Sequence, residues 1–304
     1  MSDNEGGRKS FDSAGGERRG GGHKGGRKPY GMRSEGSRDE RRGNGGNRGG
    51  RKRAHKGRGG KSNSQQRRSH PQRSGFREER LNQRMADPDL PKDIDVRDLD
   101  PMVLQDLKVL SKDNAEAVAK HMIMAATWMD DDPQLALRHA RAAKNRAGRV
   151  SVVREVNGIA AYRAQEWKEG LSELRAARRI SGGPGLMAVM ADCERGLGKP
   201  EKALELAKEP EATELDDESR IELAIVLAGA RQDLGQNESA VVTLSRLNPN
   251  RDDRGISACR LSYAYANALD LAGRKDEAKD WFQHTVAIDE GEWTDAAERV
   301  KELG

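Results

Sequence analysis

The sequence predicts an all-α fold of stacked helical hairpins, preceded by a long basic segment that lacks the composition of a folded domain. Three observations support this fold class. Apolar residues in the stretch 151–180 recur at the spacing of amphipathic helices. A small residue returns along the chain at intervals of 34, 33, 37 and 38 residues. Three of these small residues follow a glycine by five positions, which is typical of a helix end before a second helix. The alternative is a generic helical bundle whose regular spacing is accidental.

The clearest unit runs from Ser151 to Gly182. Two apolar stripes define its helices: Val152, Val156, Ile159 and Tyr162 in the first, and Leu171, Leu174, Ala177 and Ile180 in the second. Residues 165–167 remain for a short turn between the two helices. Because Gly158 and Gly170 have no Cβ, we expect the two helices to cross closely there. Neither helix buries its stripe alone, so neighbouring units must cover it.

Aligning the chain on Gly170 extends this unit in both directions. The recurring small residues are Ala136, Gly170, Ala203, Ala240 and Ala278. The last three follow glycines that are expected to close the first helix of each unit: Gly198, Gly235 and Gly273. Pro133 and Pro200 suit the first turn of a second helix, where a missing N–H costs nothing.

A period near 34 with small residues at the helix crossing resembles the tetratricopeptide repeat. In that family small residues also occupy the eighth and twenty-seventh positions of each unit. The eighth positions here are Met124, Gly158, Ala191, Ala228 and Ala266, and the twenty-seventh are Ala143, Ala177, Pro210, Leu247 and Thr285. The last three of these depart from the pattern, so the pattern does not define where those helices end. The resemblance covers about 114–289 in five units and implies a right-handed helical solenoid. With its basic N-terminal segment, the chain resembles bacterial members of the family that carry Gly/Arg-rich tails.

Composition divides the chain sharply. Residues 1–84 hold 24 Lys and Arg against 9 Asp and Glu, and 20 of the 34 glycines, so they are expected to be disordered. The remaining 220 residues hold 31 basic and 41 acidic side chains. We therefore predict a basic tail at 1–86, an acidic linker at 87–100 and the helical array at 101–304. Short helices in 101–110 and 292–303 are expected to cover the two ends of the array.

The basic tail repeats Arg-Gly-Gly and resembles RGG-type segments that bind RNA. Its candidate RNA contacts are Arg19, Arg48, Arg51, Lys52, Arg53 and Arg58. Guanidinium groups pair with phosphates, and glycine keeps the backbone flexible, so such binding is expected to depend on charge and little on sequence. The alternative is a solubilising extension without a fixed partner.

The sequence contains no recognisable catalytic or cofactor motif. The histidines of the array, His121, His139 and His284, lie in separate predicted helices and lack metal-ligand spacing. Cys193 and Cys259 are expected to be small core residues in a reducing compartment. No apolar run approaches membrane-spanning length, and the first residues do not resemble a secretory signal. We therefore expect a non-enzymatic, cytoplasmic protein without a cofactor or a membrane partner.

The resemblance implies that the first helix of each unit lines a concave face that binds a protein segment, with the second, fifth, ninth and twelfth positions pointing inward. His121 is one such position. The candidate contacts for an unknown protein partner are Trp128, Glu155, Tyr162, Arg195, Tyr263 and Asn267. Trp128 and Tyr162 have an alternative role as packing residues between helices.

A basic block lies within the array. Residues 137–180 hold 11 basic and 4 acidic side chains. The candidate contacts for an acidic partner or RNA are Arg138, Arg141, Lys144, Arg146, Arg149, Arg154, Arg163, Arg175, Arg178 and Arg179. The alternative is a solvated helix face. Two functions thus remain open: a protein-binding scaffold whose tail adds RNA affinity, or a nucleic-acid-binding protein in which tail and basic block act together.

Overall fold

The structure is a computed structural model of the 304-residue chain. It describes residues 85–304 together with Glu78, Glu79 and Asn82. These residues all belong to one compact unit, 63–304. The predicted disorder of the tail and its six candidate RNA contacts fall outside the described residues.

The described part of the chain is all-helical, as the sequence predicts, and contains no strand. Its α-helices are α1 Pro101–Asp106, α2 Lys112–Thr127, α3 Pro133–Ala147, α4 Ser151–Arg163, α5 Trp167–Ser181, α6 Met187–Gly196, α7 Pro200–Leu206, α8 Asp217–Asp233, α9 Asn237–Ser245, α10 Ile256–Leu271, α11 Lys275–Ile288 and α12 Ala296–Glu302. The described residues also form three short 3₁₀ helices: Val96–Asp98 before α1, Leu107–Val109 after α1 and Pro210–Glu214 after α7. Among these described helices, none combines the length and the hydropathy needed to cross a membrane.

Successive helices pair into five hairpins. The pairs are α2 with α3, α4 with α5, α6 with α7, α8 with α9, and α10 with α11. The first helices also contact one another in order, α2 against α4, α4 against α6, α6 against α8 and α8 against α10. The hairpins therefore stack as a linear array compatible with a helical solenoid. We call the surface formed by α2, α4, α6, α8 and α10 the first-helix face.

In the second hairpin, α4 and α5 cross where the sequence places Gly158 and Gly170. We call this hairpin the central hairpin and its contact the central crossing. A Cβ on Gly158 would lie 2.6 Å from Cγ of Leu174. A Cβ on Gly170 would lie 3.2 Å from the carbonyl oxygen of Gly158 and 3.3 Å from Sγ of Cys193. The equivalent small residues of the other hairpins are completely buried: Ala136, Ala203, Ala240 and Ala278. The predicted close crossing is confirmed.

The predicted glycine turns are also confirmed. Gly198, Gly235 and Gly273 have φ of 69°, 71° and 79°, in the left-handed region that favours glycine. Gln165 occupies the same place in the central hairpin with φ of 60°, although a non-glycine residue is strained there. In all four hairpins the next N–H donates to a carbonyl five residues earlier, as in Glu166 to Ala161 at 2.8 Å. This bond closes the first helix of each hairpin.

The first hairpin turns differently. Its turn holds no glycine, and Asp132 instead caps α3 by accepting a hydrogen bond from the N–H of Leu135 at 3.0 Å. Pro133 follows as the first helical residue, as predicted. This turn is therefore defined by a cap at the start of the second helix, whereas a left-handed residue closes the first helix in the other four hairpins.

Two second helices end early, at the units that depart from the repeat pattern. Pro210 lies beyond the end of α7, and Leu247 lies beyond the end of α9. The third departure has a different outcome, because Thr285 is completely buried within α11 and is small enough for a helix contact. Longer connections then lead to α8 and α10, which accounts for the repeat intervals above 34 residues.

The helix predicted to cover the N-terminal end of the array does so. Leu107 is 1% exposed and packs in one cluster with Val118 and Val153. Val96 and Leu99, which belong to the predicted linker, pack against the same cluster. Part of the acidic segment 87–100 thus lies on the array itself.

The helix predicted at 292–303 begins later than expected, so that boundary was wrong. The Asp289 carboxylate accepts hydrogen bonds from the N–H groups of Trp293 and Thr294 at 2.7 and 2.9 Å. Glu292 has φ of 51°, outside the helical region. These hydrogen bonds keep the segment after Asp289 in a loop. The helix α12 begins at Ala296, which is 1% exposed.

The close crossing predicts that a large side chain at residue 170 overpacks the central hairpin. We expect Gly170→Leu to lower the free energy of unfolding by about 1–3 kcal/mol or more, because backbone and sulfur atoms already lie within 3.3 Å of a Cβ there. Urea unfolding measures the difference. Ser172→Leu, at an exposed position of the same helix, is the matched control. Equal stabilities for the two variants would contradict the crossing.

Candidate functional site

Polar side chains connect neighbouring helices across the first-helix face. The Tyr162 hydroxyl on α4 donates to the Asp192 carboxylate on α6 at 2.7 Å. Arg195, one turn further along α6, donates from Nη1 to Asp192 at 2.9 Å and from Nε to Asp233 on α8 at 2.7 Å. Burial and the Asp192 carboxylate raise the pKa of Tyr162 to about 12. A single chain of contacts thus joins three consecutive hairpins.

The same pattern continues to the C-terminal end of the face. Its pairs are Arg260 with Glu222 at 2.7 Å, Tyr263 with Asp295, and Arg299 with Asp270 at 2.8 Å. Three of the six predicted partner contacts, Tyr162, Arg195 and Tyr263, therefore hold the hairpins together and also lie on the candidate surface.

The other three predicted partner contacts do not form such bridges between hairpins. Trp128 ends α2, is half-buried, and its indole Nε1 is buried without a hydrogen-bond partner. Asn267 is half-buried on α10. Glu155 is half-buried on α4, where burial raises the pKa of its carboxyl group. Among the described residues, no ion pair reaches the Glu155 carboxylate, whereas Asp192 on α6 pairs with Arg195.

The inward position assigned to His121 is wrong. His121 and His139 are 1% and 2% exposed, and their Nδ1 atoms lie 3.1 Å apart inside the first hairpin. Burial lowers the pKa of His121 to about 4, and the positive charges of Arg146 and any protonated His139 act in the same direction. Burial also lowers the pKa of His139, with Arg138 assisting and Asp87 opposing. The pair is part of the hairpin core.

The cysteines are buried free thiols, as the sequence predicts. Burial raises the pKa of Cys193 to about 12 and that of Cys259 to about 11. Such thiols are poor nucleophiles at neutral pH. Within the described ranges, no group of three His, Cys, Asp or Glu side chains is placed to hold a metal ion.

The basic block mostly bridges helices. Arg141 pairs with Glu169 at 2.5 Å, and Arg154 pairs with the buried Glu173 at 2.6 Å. Seven of its ten candidate residues have carboxylate partners; the other five pairings are Lys144–Glu173, Arg146–Asp87, Arg163–Asp130, Arg175–Glu194 and Arg178–Glu209. The remaining three candidates are exposed: Arg138, Arg149 and Arg179. The block therefore presents far less free positive charge than its sequence indicates.

The structure also shows a cleft that sequence reasoning missed. It has a volume of about 560 Å³ and adjoins the first-helix face through Asp192 and Arg195. We call it the acidic cleft; its lining residues are Trp167, Asp192, Arg195, Gly196, Gly198, Pro200, Glu201 and Asp233. The repeat alignment offered a partial signal, since Asp192 and Arg195 occupy inward positions of α6. Trp167 and Glu201 had no such signal, because they lie in the second helices α5 and α7.

A second cleft, of about 410 Å³, lies near the C-terminal end of the same face. Its lining residues are Ile225, Arg260, Tyr263, Ala264, Trp293, Thr294 and Asp295. Trp293 is 43% exposed, which is unusual for so large an apolar side chain. The face thus carries two recesses about two hairpins apart. No protein-family model matches the chain, and no curated protein matches it.

The buried histidine pair predicts a loss of stability in mild acid. An unfolded histidine has a pKa near 6.5, whereas His121 has a pKa of about 4 in the folded chain, so the unfolded state binds more protons between these values. The contribution is fully present above pH 6.5 and is lost as the pH falls towards 4, by about 1–3 kcal/mol. Urea unfolding at pH 7 and pH 4.5 measures this loss. His121→Leu should show a smaller difference between the two pH values; an unchanged difference would contradict the assignment.

Proposed function

We propose that this chain is a non-enzymatic scaffold of the tetratricopeptide-repeat type, a right-handed helical solenoid that holds a segment of a partner protein on its first-helix face. The observation that supports this most is the consecutive packing of the first helices, which makes one continuous surface across five hairpins. Repeat arrays use such extended surfaces for binding. Two recesses on the face provide places for side chains of the partner.

The arrangement of reactive groups favours binding over catalysis. The thiols are buried with raised pKa values, and the closest histidine pair lies in a hairpin core. In this proposal the basic tail adds nonspecific affinity for RNA through its arginines. We also place the protein in the cytoplasm, because two buried free cysteines suit a reducing compartment.

The second candidate function is nucleic-acid binding by the tail together with the basic block. The exposed Arg138, Arg149 and Arg179 favour it. The seven arginines and lysines that pair with carboxylates argue against it, because a paired guanidinium attracts a phosphate less. The scaffold is therefore the better-supported function.

Pull-down experiments with matched variants test the scaffold. Glu155→Arg and Asn267→Arg each place a long cationic side chain on the first-helix face, and Ser172→Arg places the same side chain on an exposed position of α5. Proteins retained by the native chain should be lost from the first two variants and kept by the third. Retention of the same proteins by all three variants would contradict binding at this face.

RNA titration separates the two functions. If the tail alone contacts RNA, truncation at Met85 abolishes the affinity; if the basic block takes part, substantial affinity remains after truncation. Replacing Arg138, Arg149 and Arg179 with glutamine in the full chain is the complementary change. It should leave RNA affinity unchanged under the scaffold proposal.

A further inference from the structure

The acidic cleft combines an aromatic side chain with an excess of carboxylates. Trp167 is half-buried and stacks edge-on against Tyr162, with ring centroids 5.5 Å apart. Gly196 lies directly against the indole, since a Cβ there would be 2.6 Å from Cδ2 of Trp167. Three carboxylates, those of Asp192, Glu201 and Asp233, share the cleft with this ring. An aromatic face beside carboxylates is suited to a cationic side chain.

The one guanidinium that lines the cleft is already engaged. Arg195 donates from Nε and Nη2 to Asp233 at 2.7 and 3.2 Å, and from Nη1 to Asp192 at 2.9 Å. The Arg195 guanidinium also packs closely against Gly229, since a Cβ at that residue would lie 2.7 Å from its Cζ. Arg195 therefore neutralises part of the cleft but has little capacity left for an anionic ligand. Lys199 is exposed between two lining residues and is a further cation at the rim.

The rest of the first-helix face has the same sign. Two of its arginines pair with carboxylates across neighbouring hairpins: Arg195 with Asp233 and Arg260 with Glu222. Together the five first helices hold ten acidic and eight basic side chains. The first helices therefore carry a small net negative charge, and the acidic cleft places three carboxylates beside one guanidinium. A basic segment complements it.

We propose that the partner segment held on the first-helix face is basic, and that the acidic cleft receives one of its arginine or lysine side chains against Trp167 and Glu201. This inference rests on the proposed scaffold function and adds the chemistry of the partner. A second cationic side chain of the same segment lies near Glu155 on α4, a half-buried carboxylate that has no ion pair among the described residues.

Fluorescence polarisation with three labelled peptides tests the proposal on the full chain. The peptides share one Gly/Ala framework and carry arginine, glutamine or glutamate at the same positions. We expect the arginine peptide to bind about tenfold or more tightly than the glutamine peptide in dilute salt, and the glutamate peptide to bind least. Affinity of the arginine peptide should fall as salt screens the carboxylates.

Single substitutions locate the binding. Glu201→Gln and Glu155→Gln should each weaken the arginine peptide about three- to tenfold, since each removes one carboxylate without changing side-chain size. Glu298→Gln, at an exposed position of α12 outside both clefts, is the matched control and should leave the affinity unchanged.

The outcomes separate this inference from the scaffold function. If the glutamine or glutamate peptide binds as tightly as the arginine peptide and Asn267→Arg still abolishes binding, the basic partner is wrong and the scaffold stands. Equal effects of Glu201→Gln and Glu298→Gln would also overturn the assignment of the cleft. If the Glu155→Arg and Asn267→Arg variants retain the same proteins as the native chain in pull-downs, the scaffold function itself is contradicted.

Discussion

The close approach of two helices in each hairpin is the constraint on which the remaining structure depends. At the central crossing the missing Cβ atoms of Gly158 and Gly170 leave room for Leu174 and for Cys193 of the next hairpin. Buried alanines occupy the corresponding place in the other hairpins. Because only a small residue fits where the helices meet, each crossing fixes the rotation of both helices. That rotation decides which side chains reach the first-helix face.

Once the rotation is fixed, charge determines the character of the surface. Arginines between hairpins pair with carboxylates on the corresponding helix of the next hairpin, as Arg141 with Glu169 and Arg195 with Asp233 show. Exposed ion pairs of this kind each contribute little, so they serve register more than total stability. The carboxylates left over after this pairing give the face its negative charge. Structural pairing and recognition thus use the same residues.

Much of the fold could be predicted from the sequence, because its determinants are local. Small-residue spacing gave the hairpin crossings, and Gly198, Gly235 and Gly273 gave the turns, since each depends on backbone within a few residues. The pairing of Arg146 with Asp87, 59 residues apart, had no local signal. The start of α12 was misplaced because Asp289 caps a loop whose residues also suit a helix. His121 was misassigned because its burial depends on His139 across the hairpin.

A double-mutant cycle at the central crossing tests the account most directly. Gly158→Ala should destabilise the chain by about 1–3 kcal/mol, because its methyl group meets Leu174, and Leu174→Ala should cost about 2–5 kcal/mol through the cavity it leaves. With both changes the methyl group at residue 158 occupies space that Leu174 vacated. The double variant should therefore be more stable than the sum of the single losses predicts, by about 0.5–3 kcal/mol. Losses that simply add would show that these two residues do not meet, and would contradict the register on which the first-helix face depends.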